Sequence, residues 1–170
     1  PEVLSAMHPF FSGEFGNASS IHTFGQKARA ALEEARRGVA DLMGAQPQEV
    51  VFTSGGTESD NTALRGIACY LGGRGNHIIT TTIEHPAVLR TCEQLQKEGF
   101  EITYVPVDRN GLVRLDILES AISDRTILIS VMHVNNETGV IQDIATIGEM
   151  CRANKTIFHV DAAQSAGKVP

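Results

Sequence analysis

The sequence predicts an α/β fold, a mainly parallel sheet with helices on both faces. Three observations carry this. Short apolar runs alternate with stretches of helical period, the signature of strands joined by crossover helices. One run, Thr126 to Met132, is apolar almost throughout, as a strand covered on both faces must be. Polar, glycine-bearing segments follow several strand runs, where open parallel sheets gather ligands.

Taken in order, Glu2 to Phe11 is weakly helical and Gly13 to Ser20 is a loop rich in Gly, Ser and Asn. From Phe24 to Met43, Ala28, Ala31, Leu32, Ala35, Val39 and Leu42 recur at helical spacing, opposite Glu33, Glu34, Arg36 and Arg37. Gly44 follows as a helix stop. Val50 to Thr53 is expected to be a strand and Glu58 to Leu71 a helix. Next come a strand at His77 to Thr81 and a helix at Pro86 to Glu98. A strand at Ile102 to Val105 leads to a short helix at Leu115 to Ile122. After the buried strand, a helix at Ile144 to Ala153 and a strand at Thr156 to Val160 complete the series. No repeat or linker divides the chain, so residues 1–170 are expected to form a single α/β domain.

Composition narrows the function classes. The 170 residues are 42% hydrophobic, enough for a core, and carry 14 basic against 20 acidic side chains, a formal charge of −6. An acidic balance without basic clusters argues against nucleic-acid or anionic-membrane binding. No apolar run approaches the roughly 18 residues of a membrane helix. Cys69, Cys92 and Cys151 are too few and scattered for a disulfide framework or a zinc site. They are expected to be buried, inert thiols in a reducing, cytoplasmic setting, and no metal is expected. The chain starts with Pro1, without an initiator methionine or a leader pattern, which suggests a start inside a longer protein.

Four segments place polar residues after strand runs. In Thr53-Ser54-Gly55-Gly56-Thr57-Glu58-Ser59, glycines and a helix start suit an anion such as phosphate. The plainer reading is a capped helix, with Thr57 at the N-cap and Asp60 completing a capping box. No P-loop lysine or G-x-G-x-x-G pattern is present. His85, before Pro86, suits ring stacking or proton transfer, or a cap. His77, His133 and His159 show no metal spacing and are read as structural. Asn135-Asn136-Glu137-Thr138-Gly139 is a turn or a site loop. Asp161 suits the protonated nitrogen of a bound heterocycle, or a turn cap, and Gln164 follows three residues on. Together the four ends favour a binding crevice.

These segments, in this order, resemble the cysteine desulfurases of the NifS/IscS type, pyridoxal-phosphate (PLP) enzymes of fold type I in the class V aminotransferase group. The residues that carry the resemblance are Thr53 to Asn61, Glu84-His85, His133 to Gly139 and His159 to Gln164. Phe15 to His22 is also similar to the family's loop, with Ala18 where a proline is usual. The resemblance implies that Gly56 and Thr57 hold the PLP phosphate and that His85 stacks on the ring and assists proton transfer. It further implies that Asp161 pairs with the ring nitrogen, Gln164 bonds the phenolic oxygen, and Asn136 helps place substrate and cofactor. The implied reaction removes sulfur from L-cysteine, giving L-alanine and an enzyme persulfide. A sulfur acceptor such as an iron–sulfur scaffold and a homodimer are implied as well.

The family's PLP-bonding lysine and nucleophilic cysteine lie later than the Asp-x-x-Gln segment. Lys168 does not match that lysine's segment and is read as a surface residue; the three cysteines match no catalytic position. The chain is therefore expected to be an incomplete part of the PLP-binding large domain, inactive alone. Two alternatives stay open: a selenocysteine lyase or other class V enzyme, and a non-catalytic truncated paralogue serving as a binding module.

Overall fold

The computed structural model describes Pro1 to Val169. The chain forms two compact units, Pro1–Phe52 and a second starting at Thr53. In the first, helices α1 (Glu2–Met7) and α2 (Pro9–Ser12) precede the long α3 (Thr23–Met43) and a 3-10 turn at Pro47–Glu49. His22 caps α3, its Nδ1 accepting from the Gly25 N–H at 3.2 Å. Gly25 is required by close approach, since a Cβ there would fall 2.4 Å from the Ser20 carbonyl oxygen. Gly44 ends α3 in the left-handed region at φ 63°.

The expected strand at Val50 to Thr53 does not form. Its apolar residues are right for a strand, but no strand pairs with them among the described residues, and Val51 and Phe52 are exposed. Arg36 of α3 takes the place of a ladder partner, donating to the Val50 carbonyl and lying 5.1 Å over the Phe52 ring.

The second unit holds α4 (Gly56–Leu71), β1 (His77–Thr81), α5 (Pro86–Lys97), β2 (Glu101–Val105), α6 (Leu115–Ala121), β3 (Thr126–Met132), α7 (Ile144–Ala153) and β4 (Ile157–Asp161). The four strands form one parallel sheet in the order β2-β1-β3-β4. Alternation divides the strand side chains between two cores. Ile78 and Leu128 pack with Leu64 and Ala68 of α4 and Val88, Cys92 and Leu95 of α5. Ile79, Ile129 and Val131 pack with Leu118 of α6 and Ile147 and Cys151 of α7. Helices therefore cover both faces, and the central strands β1 and β3 are buried along their whole length. The register slips between His77 and Ile78, which leaves Ile127 as a bulge and puts it in the same core as its neighbour Leu128.

This strand order places the site. From β1 the chain moves to β2 on one side, then crosses to β3 on the other. Loops leaving β1 and β3 consequently part in opposite directions and open a crevice at their carboxyl ends.

Candidate active site

A cavity of about 240 Å³ occupies that crevice. Its walls bring together every residue the sequence singled out for cofactor binding: Gly56, Thr57, His85, Asn136, Asp161 and Gln164. Four elements supply them, the start of α4 and the ends of β1, β3 and β4.

The start of α4 differs from the capping box expected of it. The N-cap is Gly55, not Thr57, and no side chain caps the helix. Instead Glu58 reaches back, accepting from the Ser54 N–H at 2.6 Å and from its hydroxyl, which holds the Glu58 carboxyl below its usual range. The Thr53 and Ser59 hydroxyls bond each other at 2.7 Å. These contacts close the loop on itself and leave the N–H groups of Gly56 and Thr57 and the Thr57 hydroxyl without protein partners among the described residues. Free first-turn N–H groups of a 16-residue helix form an anion cradle.

His85 is both cap and cavity wall. Its Nδ1 accepts from the Ala87 N–H at 3.1 Å at the start of α5, and Pro86 fills the first helical position. The neutral ring then carries its proton on Nε2. Asp161, ending β4, likewise serves twice: Oδ1 accepts from the Ala163 N–H at 3.0 Å, and its second oxygen has no described protein partner.

Behind Asn136 stands Asn135, within the segment whose sequence suits a turn or a site loop. Buried Asn135 accepts from the N–H groups of Glu137 and Thr138 at 3.0 and 2.8 Å and from the Thr138 hydroxyl at 3.0 Å. Its amide nitrogen donates to the Ile83 carbonyl at 3.1 Å, tying the loop after β3 to the loop after β1. Glu84 makes a second tie. Its Oε1 accepts from the Thr81 hydroxyl at 2.6 Å and the Met132 N–H at 3.0 Å, while buried Oε2 has no partner among the described residues. Burial pushes the Glu84 carboxyl up to about 7 despite those two bonds.

Asp60 does not complete the capping box that the plainer reading of its segment expects. It caps nothing. Lying one turn past Thr57 on α4, it is 6% exposed and lines the cavity. Spacing was the available signal, because positions three apart share a helix face. Burial, reinforced by Asp161 and opposed by His85, raises Asp60 to about 6. His159 lies 3.7 Å away at Nε2 and bonds Ser130 at 2.9 Å through Nδ1; burial lowers its pKa, so the ring is neutral at pH 7. His77 is held between the hydroxyls of Thr126 and Thr103, in keeping with a structural role.

Cys92 and Cys151 are buried, their thiols pushed up to about 12 and about 11 by burial. Cys69 departs from expectation: it faces outward on α4 and is exposed. Lys168 is exposed and does not line the cavity. Among the described residues, no helix is long and apolar enough to cross a membrane.

A family model for class-V aminotransferases matches residues 1–170. The chain belongs to that family. Within it, this class-V chain is 57% identical over 173 aligned residues to the cysteine desulfurase IscS of Salmonella paratyphi B, and equally to that of Salmonella newport. Both alignments cover 100% of this chain and 43% of the relative, so the chain spans less than half the length of the curated relatives it matches. Among solved structures, a NifS-like protein superposes with a TM-score of 0.95 at 43% identity, over 99% of this chain and 47% of the other. SspA in complex with cysteine gives 0.92 at 43% identity, over 96% of this chain and 47% of the other. DndA from Streptomyces lividans gives 0.91 at 44% identity, over 99% and 48%. The class-V assignment and the observed parallel sheet agree with the fold class expected from sequence.

Proposed function

We propose that this chain is part of the PLP-binding large domain of a cysteine desulfurase. The observation that carries the reading is the convergence, in one crevice, of an uncapped helix start, a histidine with one nitrogen committed and a carboxylate with one oxygen free. The donor set fits PLP. The N–H groups of Gly56 and Thr57 and the Thr57 hydroxyl bind the phosphate, where the helix dipole adds positive potential. The free oxygen of Asp161 would accept a hydrogen bond from the protonated ring nitrogen. Gln164 donates to the phenolic oxygen, and Asn136, carried on a loop stiffened by Asn135, orients substrate and ring.

When bound, PLP supplies an electron sink for negative charge developing at the substrate's α-carbon. Asp161 keeps that sink effective by holding the ring proton in place. His85, the proposed catalytic residue, moves protons through Nε2 while the Ala87 N–H fixes its Nδ1. In the protein that carries this chain, the substrate is L-cysteine: its carbon–sulfur bond breaks, L-alanine leaves, and sulfur passes to a nucleophilic cysteine as a persulfide and then to an acceptor such as an iron–sulfur scaffold. That cysteine and the lysine that bonds PLP come from sequence other than residues 1–170. The assembly is a homodimer in the cytoplasm. SspA, solved with cysteine at 43% identity, supports the substrate class.

Two measurements test this. Titration of the chain with PLP, followed by absorbance, should saturate, and Thr57→Ala and Asp161→Ala should each weaken binding about tenfold, as loss of a charge-assisted bond predicts. The protein that carries the chain, given L-cysteine, PLP and a thiol reductant, should release sulfide and L-alanine in equal amounts. Non-saturable binding refutes the cofactor site; alanine without sulfide refutes the desulfurase reading.

A further inference from the structure

We propose that Asp60 is a second ring-side carboxylate of this site, a binding residue that acts with Asp161 to make the cavity prefer a cationic heteroaromatic ring over a neutral ring of the same shape. The inference rests on the PLP reading above.

Asp60 is more than nine-tenths buried, lines the cavity, and accepts no hydrogen bond from any described residue. Among the described residues lining that cavity there is no lysine or arginine. The groups that face Asp60 are Asp161 and His159 from β4, His85 from the start of α5, and Glu84 from the loop after β1. Two of these are acidic, and neutral His159 does not supply a countercharge. A buried carboxylate among acidic and neutral neighbours is unfavourable, and His85 offsets this only in part, so the fold leaves the remaining compensation to whatever fills the cavity. The ring side of the ligand is where that compensation is needed: α4 offers its free N–H groups to phosphate one turn before Asp60, and Asp161 takes the ring nitrogen.

A pH signature follows. Burial and Asp161 hold Asp60 at about 6. A cationic ring opposes both effects, so it binds the ionised form of Asp60 more tightly. As pH falls through about 6 the empty site takes up a proton on Asp60, and its contribution to binding declines.

The test uses calorimetry on the whole chain with pyridoxine 5′-phosphate, which has no aldehyde and forms no bond to lysine, and with its analogue carrying carbon in place of the ring nitrogen. At pH 7.5, Asp60→Asn should weaken the pyridine ligand about tenfold, one unit of the 1–3 that an adjacent opposite charge is worth. The carbon analogue should change less than twofold, and the difference for the pyridine ligand should narrow to about threefold at pH 5.5. Equal weakening of both ligands, no weakening, or a loss undiminished at pH 5.5 overturns the role of Asp60 and leaves the phosphate cradle standing. A wild-type chain that binds neither ligand overturns the cofactor reading and this inference together. Should D60N not fold, carboxyl carbon-13 NMR of the wild-type chain decides: the Asp60 titration midpoint should fall when pyridoxine 5′-phosphate binds, and an unmoved midpoint refutes the proposal.

Discussion

Replacing Glu84 by glutamine probes the tie between the β1 and β3 loops. In the folded chain Oε1 accepts from the Thr81 hydroxyl and the Met132 N–H, and Oε2 is buried without a partner among the described residues. Burial outweighs the two bonds and raises the carboxyl from 4.5 to about 7. An acid whose folded pKa is raised contributes stability that is fully present below its unfolded value and lost as pH rises through the folded value. For Glu84 the loss runs from pH about 4.5 to about 7. At about 1.4 kcal/mol per unit, it reaches an upper bound of about 3 kcal/mol above pH 8. Glutamine keeps the Oε1 acceptor and cannot ionise. Glu84→Gln should therefore be equal to or less stable than wild type at pH 4.5, by up to about 2 kcal/mol for its unpartnered amide. It should gain on wild type as pH rises, and the difference between the two should swing by up to about 3 kcal/mol by pH 8.5. Urea unfolding at half-unit pH intervals measures it. Parallel pH–stability curves for the two proteins would refute the reasoning, because they would mean the Glu84 carboxyl titrates alike in the folded and unfolded chains.

Three further outcomes follow from the geometry. Asn135→Ala removes three accepted bonds and the link to Ile83, and should cost about 2–4 kcal/mol in urea unfolding; amide exchange at Thr138 should accelerate more than tenfold, and unchanged exchange would show that the loop holds itself. Leu64→Ala empties the centre of the core between α4, α5 and the sheet and should cost about 2–5 kcal/mol in the same assay. With a thiol reagent at pH 8, exposed Cys69 should react at once, and buried Cys92 and Cys151 only after denaturation, so two thiols titrating rapidly in the native chain would contradict their burial.

Apolar runs and periods were enough to place α3, β1, β3 and α7 within a residue of their observed ends, because those patterns are local in sequence, although Leu32, Val39 and Leu42 of the α3 stripe are exposed. The same logic failed at Val50–Thr53. A strand needs a partner as well as a pattern, and Arg36 engages that backbone instead. Cys69 shows the converse limit, a thiol on a helix buried along one face whose own position points outward. Gly56, Thr57, His85, Asn136, Asp161 and Gln164 were legible as candidates because their polar segments follow apolar runs and resemble those of the desulfurases; that they share one cavity depends on a sheet order no local pattern encodes. Asp60, Glu84 and Asn135 acquire their importance from burial, which sums contributions from distant segments. A carboxyl group is a solvated charge or a proton-holding brace according to what packs around it, and only the folded chain makes that choice.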